Sequence, residues 1–356
     1  MSMKLFAAID IGSYEVEMKI FQITSGKGIK EIDCVCHRME LGKDVYRDGR
    51  IGVEMTDELC RVLNDFVRIM KGYRVDDWRV CATSAVREAG NQLVFLDRVK
   101  RHTGLEVEVL SNASQRFMDY KSIASRENEF NRIIQKGTAI VDVGGGSIQI
   151  SLFDKDRLVA SQNMKIGNLR LRERMMNEGV SLKHYETLLT EVVENEFLSY
   201  KKLYLKDRVI SNLIVVGDHI GDAVHKNVMT RADFLYFYDD MIYRSDEDAA
   251  GRCEVPEDVI SVLRPSLVVY RCFLEAADVE NIWMPGLHLT DGMAYEYAQQ
   301  NRLLKLGHDF DEDILAAARN AAKRYQCSKS HIKVCEDLAV GIFDKIKKSQ
   351  GFDDRD

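Results

Sequence analysis

Thr138-Ala-Ile-Val-Asp-Val-Gly-Gly-Gly-Ser-Ile-Gln-Ile-Ser-Leu-Phe153 reads as a strand, a turn and a returning strand. Ala139 to Val143 are small or β-branched and suit a buried strand, while Ile148, Ile150 and Leu152 alternate with polar residues. Gly144, Gly145 and Gly146 mark the sharp turn between them. Glycine permits positive φ and leaves backbone N–H groups open to a ligand, so this turn, with Ser147, is expected to cradle an anion. Asp142, at its mouth, is placed to hold a cation or a water against that anion. An isolated Gly-Gly-Gly reads more readily as a tight hairpin with a bulge. A second copy decides between the two.

That copy is Ala8-Ile-Asp-Ile-Gly-Ser-Tyr-Glu-Val-Glu-Met-Lys-Ile-Phe21, at a constant offset of 132 residues (142 − 10). Asp10 answers Asp142, Gly12 answers Gly144, and Phe21 answers Phe153. Val16, Met18 and Ile20 answer Ile148, Ile150 and Leu152. The repeat predicts a duplicated domain. Two such hairpins facing each other across a cleft would bring two carboxylates and two turns of backbone N–H onto one polyphosphate with its metal. This arrangement resembles the actin and hexokinase type of fold. The expected architecture is therefore α/β, two-lobed and duplicated, ribonuclease H-like, with the ligand cleft between the lobes. Residues 1–127 are expected to form the first lobe, 128–300 the second, and 301–356 a set of C-terminal helices.

Composition agrees with two lobes. A chain of 356 residues that is 46% hydrophobic has enough apolar side chains for two cores. A net charge of −7 argues against general nucleic-acid binding, so an anionic ligand would have to meet a local site. No apolar run approaches the ~20 residues of a membrane span, and the N-terminus opens a strand, which makes a cytoplasmic location the expectation. Eight cysteines form no C-x-x-C pair and read as reduced, mostly buried thiols, with Cys34 and Cys36 on one face of a strand. The eight histidines show no ligand spacing, so no structural transition metal is expected.

In chain order, Lys30 to Leu41 reads as a strand and Gly42 to Gly52 as a turn-rich loop. Thr56 to Met70 reads as an amphipathic helix capped by Thr56. Trp78 to Ala82 is a strand that delivers Arg87 near its end, where open α/β sheets hold ligands. Arg87 offers bidentate donors to phosphate, or a salt bridge to Glu88. Leu93 to Thr103 is a helix, Leu105 to Leu110 a strand, and Ala113 to Ser125 a helix opened by Ser111 or Asn112. Polar residues from Asn128 to Gly137 mark the lobe boundary. Lys165, Arg170, Arg172 and Arg174 form either a polyanion track or a solvated face. Ser181 to Leu203, Phe310 to Tyr325 and His331 to Lys347 are helical, the last with Ile332, Cys335, Leu338, Ile342 and Ile346 on one stripe.

Four motifs in order, Ile9-Asp-Ile-Gly-Ser13, Ala82-Thr-Ser-Ala-Val-Arg-Glu-Ala-Gly-Asn91, Thr103-Gly-Leu-Glu-Val-Glu-Val-Leu-Ser111 and Val141-Asp-Val-Gly-Gly-Gly-Ser147, resemble the exopolyphosphatase and guanosine pentaphosphate phosphohydrolase family. Arg170 and Glu173 also match its pattern. The resemblance spans nearly the whole chain. It implies a phosphohydrolase that uses Mg2+ to remove terminal phosphates from inorganic polyphosphate or from guanosine pentaphosphate, with polyphosphate or guanosine penta- or tetraphosphate as the bound partner. Asp10 and Asp142 would hold the metal. Gly12, Ser13, Tyr14, Arg87, Gly144, Gly145, Gly146 and Ser147 would hold phosphate, and a second copy of the chain is an expected partner. Larger relatives carry a helical C-terminal domain, so residues 301–356 are either its beginning or a short form docked on the second lobe.

The departures fall on the chemistry. Where the family has a water-activating glutamate the chain has Gln115, and a second usual glutamate is Gln149. An amide orients water but takes no proton, and losing a general base typically removes about 10²- to 10⁴-fold in rate. The first turn carries Tyr14 and Glu15 in place of the usual Asn-Ser, the glycine turn of the second lobe reads Val216-Gly-Asp-His-Ile-Gly221, and an expected arginine is Thr290. Catalytic expectations therefore fall on Gln115, Asp142, Gln149 and Glu15. Three functions compete: a phosphohydrolase, a non-catalytic sensor of the same ligands favoured by the two amides, and a nucleotide-dependent kinase, disfavoured by the degenerate turn.

Overall fold

The computed structural model describes residues 3–177, 182–206, 208–217, 219–304, 308 and 310–351. Two mixed sheets lie within a compact unit of residues 1–310. The first is built from β1 (Met3–Ile11), β2 (Glu15–Thr24), β3 (Gly28–Arg38), β4 (Asp77–Ala82) and β5 (Glu108–Val109), in the order β3-β2-β1-β4-β5. The second contains β6 (Thr138–Val143), β7 (Ile148–Asp154), β8 (Arg157–Met164), β9 (Asn212–Val216), β10 (Val228–Thr230) and β11 (Asn281–Trp283), in the order β10-β11-β9-β6-β7-β8.

Read from β3 and from β8, the two orders are the same fold drawn twice. In each, an antiparallel three-strand meander ends in a central strand that is followed by two strands parallel to it, and the second sheet adds β10 antiparallel at its edge. The repeat holds at the level of single bonds. Gly12 donates its N–H to the Glu15 carbonyl at 2.9 Å and Gly144 to the Ser147 carbonyl at 3.0 Å, 132 residues on. Asp10 pairs with Glu17 and Asp142 with Gln149. A register shift falls between Ile20 and Phe21 in one sheet and between Leu152 and Phe153 in the other, at the same offset. The fold is the duplicated actin- and hexokinase-like α/β architecture.

Central strands buried on both faces carry apolar side chains at nearly every position, as β6 does with all six residues buried. One face of the first sheet packs Ile9, Val16 and Met18 against Leu59, Leu63 and Phe66 of the helix Val53–Tyr73. Its other face packs Phe6, Ala8 and Phe21 against Leu289, Met293 and Ala298 of the helix Leu289–Gln300, which returns to this sheet from late in the chain. The second sheet is covered by Leu189, Val193 and Phe197 of the helix Leu182–Tyr200 and by the helix Glu257–Ala276.

Several local expectations are corrected. The stretch from Gly42 to Gly52 is not all loop: Leu41–Asp48 is a helix with Leu41 and Val45 buried, ended by Gly49 at φ 70°. A single apolar pair is too short a pattern to announce a helix. Thr56 lies inside the helix Val53–Tyr73, and its hydroxyl donates back to the Gly52 carbonyl at 2.7 Å, so it caps nothing. The strand expected from Leu105 to Leu110 shrinks to Glu108–Val109, and the polar segment after Asn128 holds the helix Glu127–Ile133, with Phe130 and Ile134 buried. Ser111 does cap the helix Asn112–Ala124, accepting from the Ser114 N–H at 3.0 Å. Ser181, the expected start of a long helix, lies outside the described residues. The thiols divide evenly: Cys60, Cys81, Cys253 and Cys272 are buried, while Cys34, Cys36, Cys327 and Cys335 are exposed.

Residues 311–356 form a second compact unit. Its helices end at Arg324 and run from Lys329 to Gln350, close to the expected bounds. No described helix is long and apolar enough to cross a membrane.

Candidate active site

The carboxyl ends of β1 and β6 carry Asp10 and Asp142 to one cavity of about 110 Å³. Ten of the expected site residues line it: Asp10, Gly12, Ser13, Tyr14, Glu15, Gln115, Asp142, Gly144, Gly145 and Ser147. The first strand and the following turn of each half thus meet there, as the repeat requires. Gly146, Gln149 and Arg87 stand behind the wall. Gln149 is buried beside Asp142, Gly146 packs against Tyr46 and Ser84, and Arg87 turns away to donate to the Leu110 carbonyl at 2.6 Å and to Gln115 Oε1 at 3.4 Å.

The glycines act here by closeness, not by φ. None of Gly12, Gly144, Gly145 and Gly146 has positive φ. A Cβ on Gly145 would lie 2.8 Å from Ser13 Cβ of the opposite turn, and one on Gly146 would collide with the Tyr46 and Ser84 hydroxyls. The two turns touch, and only glycine fits between them. Ser13 Oγ is held by Ser84 Oγ and Tyr46 Oη, each at 2.8 Å. Gly217 has φ 80° and packs against Asp142 Oδ1, while Asp218 of the same expected turn lies outside the described residues.

The cationic track is also corrected. Arg170 stacks over the Tyr46 ring at 4.0 Å, donates to the Gly146 carbonyl and pairs with Glu88 at 3.0 Å. Arg172 is bidentate to Glu40, with both bonds at 2.7 Å. Lys165 lies 3.8 Å from Glu88. These charges tie the walls together. None of them lines the cavity, and neither does any other lysine or arginine among the described residues.

What lines it is acid: Asp10, Glu15, Glu17, Asp119 and Asp142, with His219 and His288. Burial, then the charges of Glu17 and Glu15, push the Asp10 carboxyl up to about 8. Asp119 is driven well above the usual carboxylate range by burial and by Asp142 and Asp10. Glu17 behaves oppositely. Burial works against its charge, yet His288 at 2.9 Å outweighs it and holds the carboxylate down at about 2, while Glu17 lifts His288 to about 9. Thr290, where an arginine was expected, donates its hydroxyl to Glu17. Lys19 meets Asp291 at 2.9 Å alongside.

Gln115 Nε2 and Gln149 Nε2 each donate to Asp142 Oδ2 at 3.4 Å. Asp10 Oδ1, Asp119 Oδ2 and Gln149 Oε1 are buried without a hydrogen-bond partner. Buried oxygens in that state call for an ion or a water, and hard oxygen donors suit Mg2+. The residues present therefore fit that cation, although no three His, Cys, Asp or Glu groups among the described residues already converge on one point. Waters and ligand oxygens would complete its shell. Asp119 and the Glu17–His288 pair were not singled out in the sequence. Their signals were present in the spacing of Gln115 and Asp119 by four residues on one helix, and in Glu17 lying opposite Asp10 across the first hairpin.

The Ppx/GppA phosphatase family profile matches residues 19–301. This chain belongs to that family. The match begins at Lys19, so the first turn with Tyr14 and Glu15 lies outside it. A guanosine-5′-triphosphate,3′-diphosphate pyrophosphatase of Photobacterium profundum is 20% identical over 96% of this chain and 67% of its own. Exopolyphosphatase 2 of Mycobacterium tuberculosis is 27% identical over 50% of this chain and 56% of its own. The chain spans about a quarter to two thirds of the curated relatives it matches. The crystal structure of an Aquifex aeolicus member of the Ppx/GppA family is similar in fold, with a TM-score of 0.68 at 23% identity over 84% of this chain and 99% of that one.

Proposed function

We propose that the cleft hydrolyses terminal phosphoanhydride bonds of inorganic polyphosphate or guanosine pentaphosphate with Mg2+, in the cytoplasm. The observation that carries the reading is the pair of carboxylates, Asp10 and Asp142, facing one cavity from two turns with the same bond pattern. Mg2+ would be held by these two, and would supply charge neutralisation of the phosphates, which the five acidic side chains among the described residues of the lining otherwise repel. The N–H groups of the two turns orient the terminal phosphate. Relatives named as exopolyphosphatase and as pppGpp pyrophosphatase support the substrate class, and eight free cysteines suit a reducing compartment.

Water activation falls to Glu15. Both site amides are engaged with Asp142, whereas the Glu15 carboxylate lines the cavity, accepts from Cys36 Sγ at 3.1 Å and lies 3.9 Å from His219 Nε2. Phosphate release from polyphosphate and from pppGpp tests this: the native chain releases phosphate with Mg2+, and Glu15→Gln lowers the rate at least about 10²-fold. The second reading, a non-catalytic sensor, is favoured by the two amides. It prevails if native chain and Glu15→Gln bind polyphosphate equally and neither releases phosphate.

A further inference from the structure

We propose that Asp119 is a third carboxylate for the cation in this cleft, restoring one turn along its helix the negative charge that Gln115 does not carry. The proposal rests on the cleft being a cation and phosphate site. Asp119 belongs to the helix Asn112–Ala124, four residues after Gln115, so the two side chains share a face. Both line the cavity. The Asp119 side chain is 5% exposed, and its Oδ2 is buried with no hydrogen-bond partner.

A carboxylate in that position is out of place in an ordinary core. Its neighbours on the helix, Met118, Tyr120 and Ile123, are apolar and fully packed, and an apolar residue at 119 would continue that wall. Arg116 offsets its charge from a distance, yet the two form no ion pair among the described residues. The remaining charges that act on it, Asp142 and Asp10, are of the same sign. Asp10, on β1 of the first sheet, lines the same cavity, and its Oδ1 is likewise buried with no hydrogen-bond partner. Two carboxylates from different elements that line one cavity, each with a buried and unpartnered oxygen, and with no lysine or arginine among the described residues of the lining, are what a divalent cation reconciles, directly or through one bound water.

Titration calorimetry of the full chain with Mg2+ alone, supported by Mn2+ paramagnetic resonance, tests the assignment without any turnover. Asp119→Asn keeps the volume and removes the charge, and should weaken Mg2+ by about ten- to hundredfold. Adding Gln115→Glu to that variant should bring the affinity back to within about threefold of the native chain, because charge returns to the same helix face. Metal-free Asp119→Asn should unfold at the native temperature or above it. Unchanged Mg2+ affinity in Asp119→Asn, or a loss that Gln115→Glu does not recover, overturns the proposal and leaves Asp119 a packing residue. Should the Asn variant fail to fold, Asp119→Ser is read by the same outcomes. Asp142→Ala separates this inference from the reading beneath it. Loss of Mg2+ there with none in Asp119→Asn overturns only the Asp119 role, and no loss in either removes the metal site itself.

Discussion

Gln115→Glu probes the centre of the cleft without a ligand. In the native chain Gln115 Nε2 donates to Asp142 Oδ2 across 3.4 Å. Replacing the amide by a carboxylate turns that contact into a repulsion between like charges, and turns the Arg87 Nη1 contact with Oε1, also at 3.4 Å, into an attraction of similar size, so the repulsion is isolated in an Arg87→Gln background. At an effective dielectric near 20, two charges at this separation repel by roughly 5 kcal/mol. Expressed as proton affinity, that lifts the new carboxyl from about 4.3 to about 8 in the metal-free protein. The folded state then holds a proton that the unfolded state has lost between about pH 4.3 and 8, so stability falls as the pH rises through that window. Urea unfolding of metal-free protein should show Gln115→Glu in the Arg87→Gln background about 1 kcal/mol less stable than Arg87→Gln alone at pH 5 and about 5 kcal/mol less stable at pH 8.5, a large share of a domain's total, while with Arg87 present the difference should be small at both pH values. Mg2+ should remove most of the difference at pH 8.5, because the new carboxylate then faces a cation. With Glu15 as the base, the rate of phosphate release should stay within a few-fold of native. A stability difference that does not change with pH would refute the contact between residue 115 and Asp142. A tenfold gain in rate, with Glu15→Gln inert, would move the proton acceptor from Glu15 to position 115.

Gly145→Ala places a methyl 2.8 Å from Ser13 Cβ and 3.4 Å from Leu169 Cβ, so it should cost about 1–3 kcal/mol and weaken Mg2+-dependent tripolyphosphate binding. An unchanged melting temperature would mean that the turns part easily. His288→Gln should destabilise the protein more at pH 6 than at pH 9.5. His288 is raised to about 9 from 6.5, so its stabilisation is complete below pH 6.5 and lost as the pH passes about 9. With the ring 36% exposed and screened, the difference should be about 1 kcal/mol, and equal destabilisation at both pH values would show that Glu17 is not held by a charged imidazole. Hydrogen exchange with Mg2+ and tripolyphosphate should protect Ile11 to Tyr14 and Val143 to Ser147 together. Protection of one turn alone would place the ligand outside the cleft.

The duplicated hairpin was legible because a strand-turn-strand unit writes itself in alternation and glycine, and two copies at one spacing multiply a weak signal. The same sequence misled on what the glycines do. The need at Gly145 is set by the opposite turn, 132 residues away, and at Gly146 by Tyr46 and Ser84, and local composition cannot show either collision. Arg170 and Arg172 read as either a track for anions or a solvated face because their partners, Glu88 and Glu40, come from distant segments. Asp119 escaped notice for the converse reason. Alone in an apolar stretch it reads as one polar position on an amphipathic helix, and only the packed fold shows that this position faces Asp10 and Asp142. Thr290 looked like a lost charge, while the fold shows its hydroxyl in the network that keeps Glu17 ionised.

The contact between Ser13 and Gly145 bears on what calorimetry should record when a ligand arrives. With the two turns already in contact, and the Tyr46, Ser84 and Ser13 hydroxyls already bonded to one another, the ordering of the cleft belongs to folding and not to each binding event. Little apolar surface remains there to be covered on binding. Association should therefore have a heat-capacity change near zero, unlike that of a cleft whose walls must swing together over a ligand.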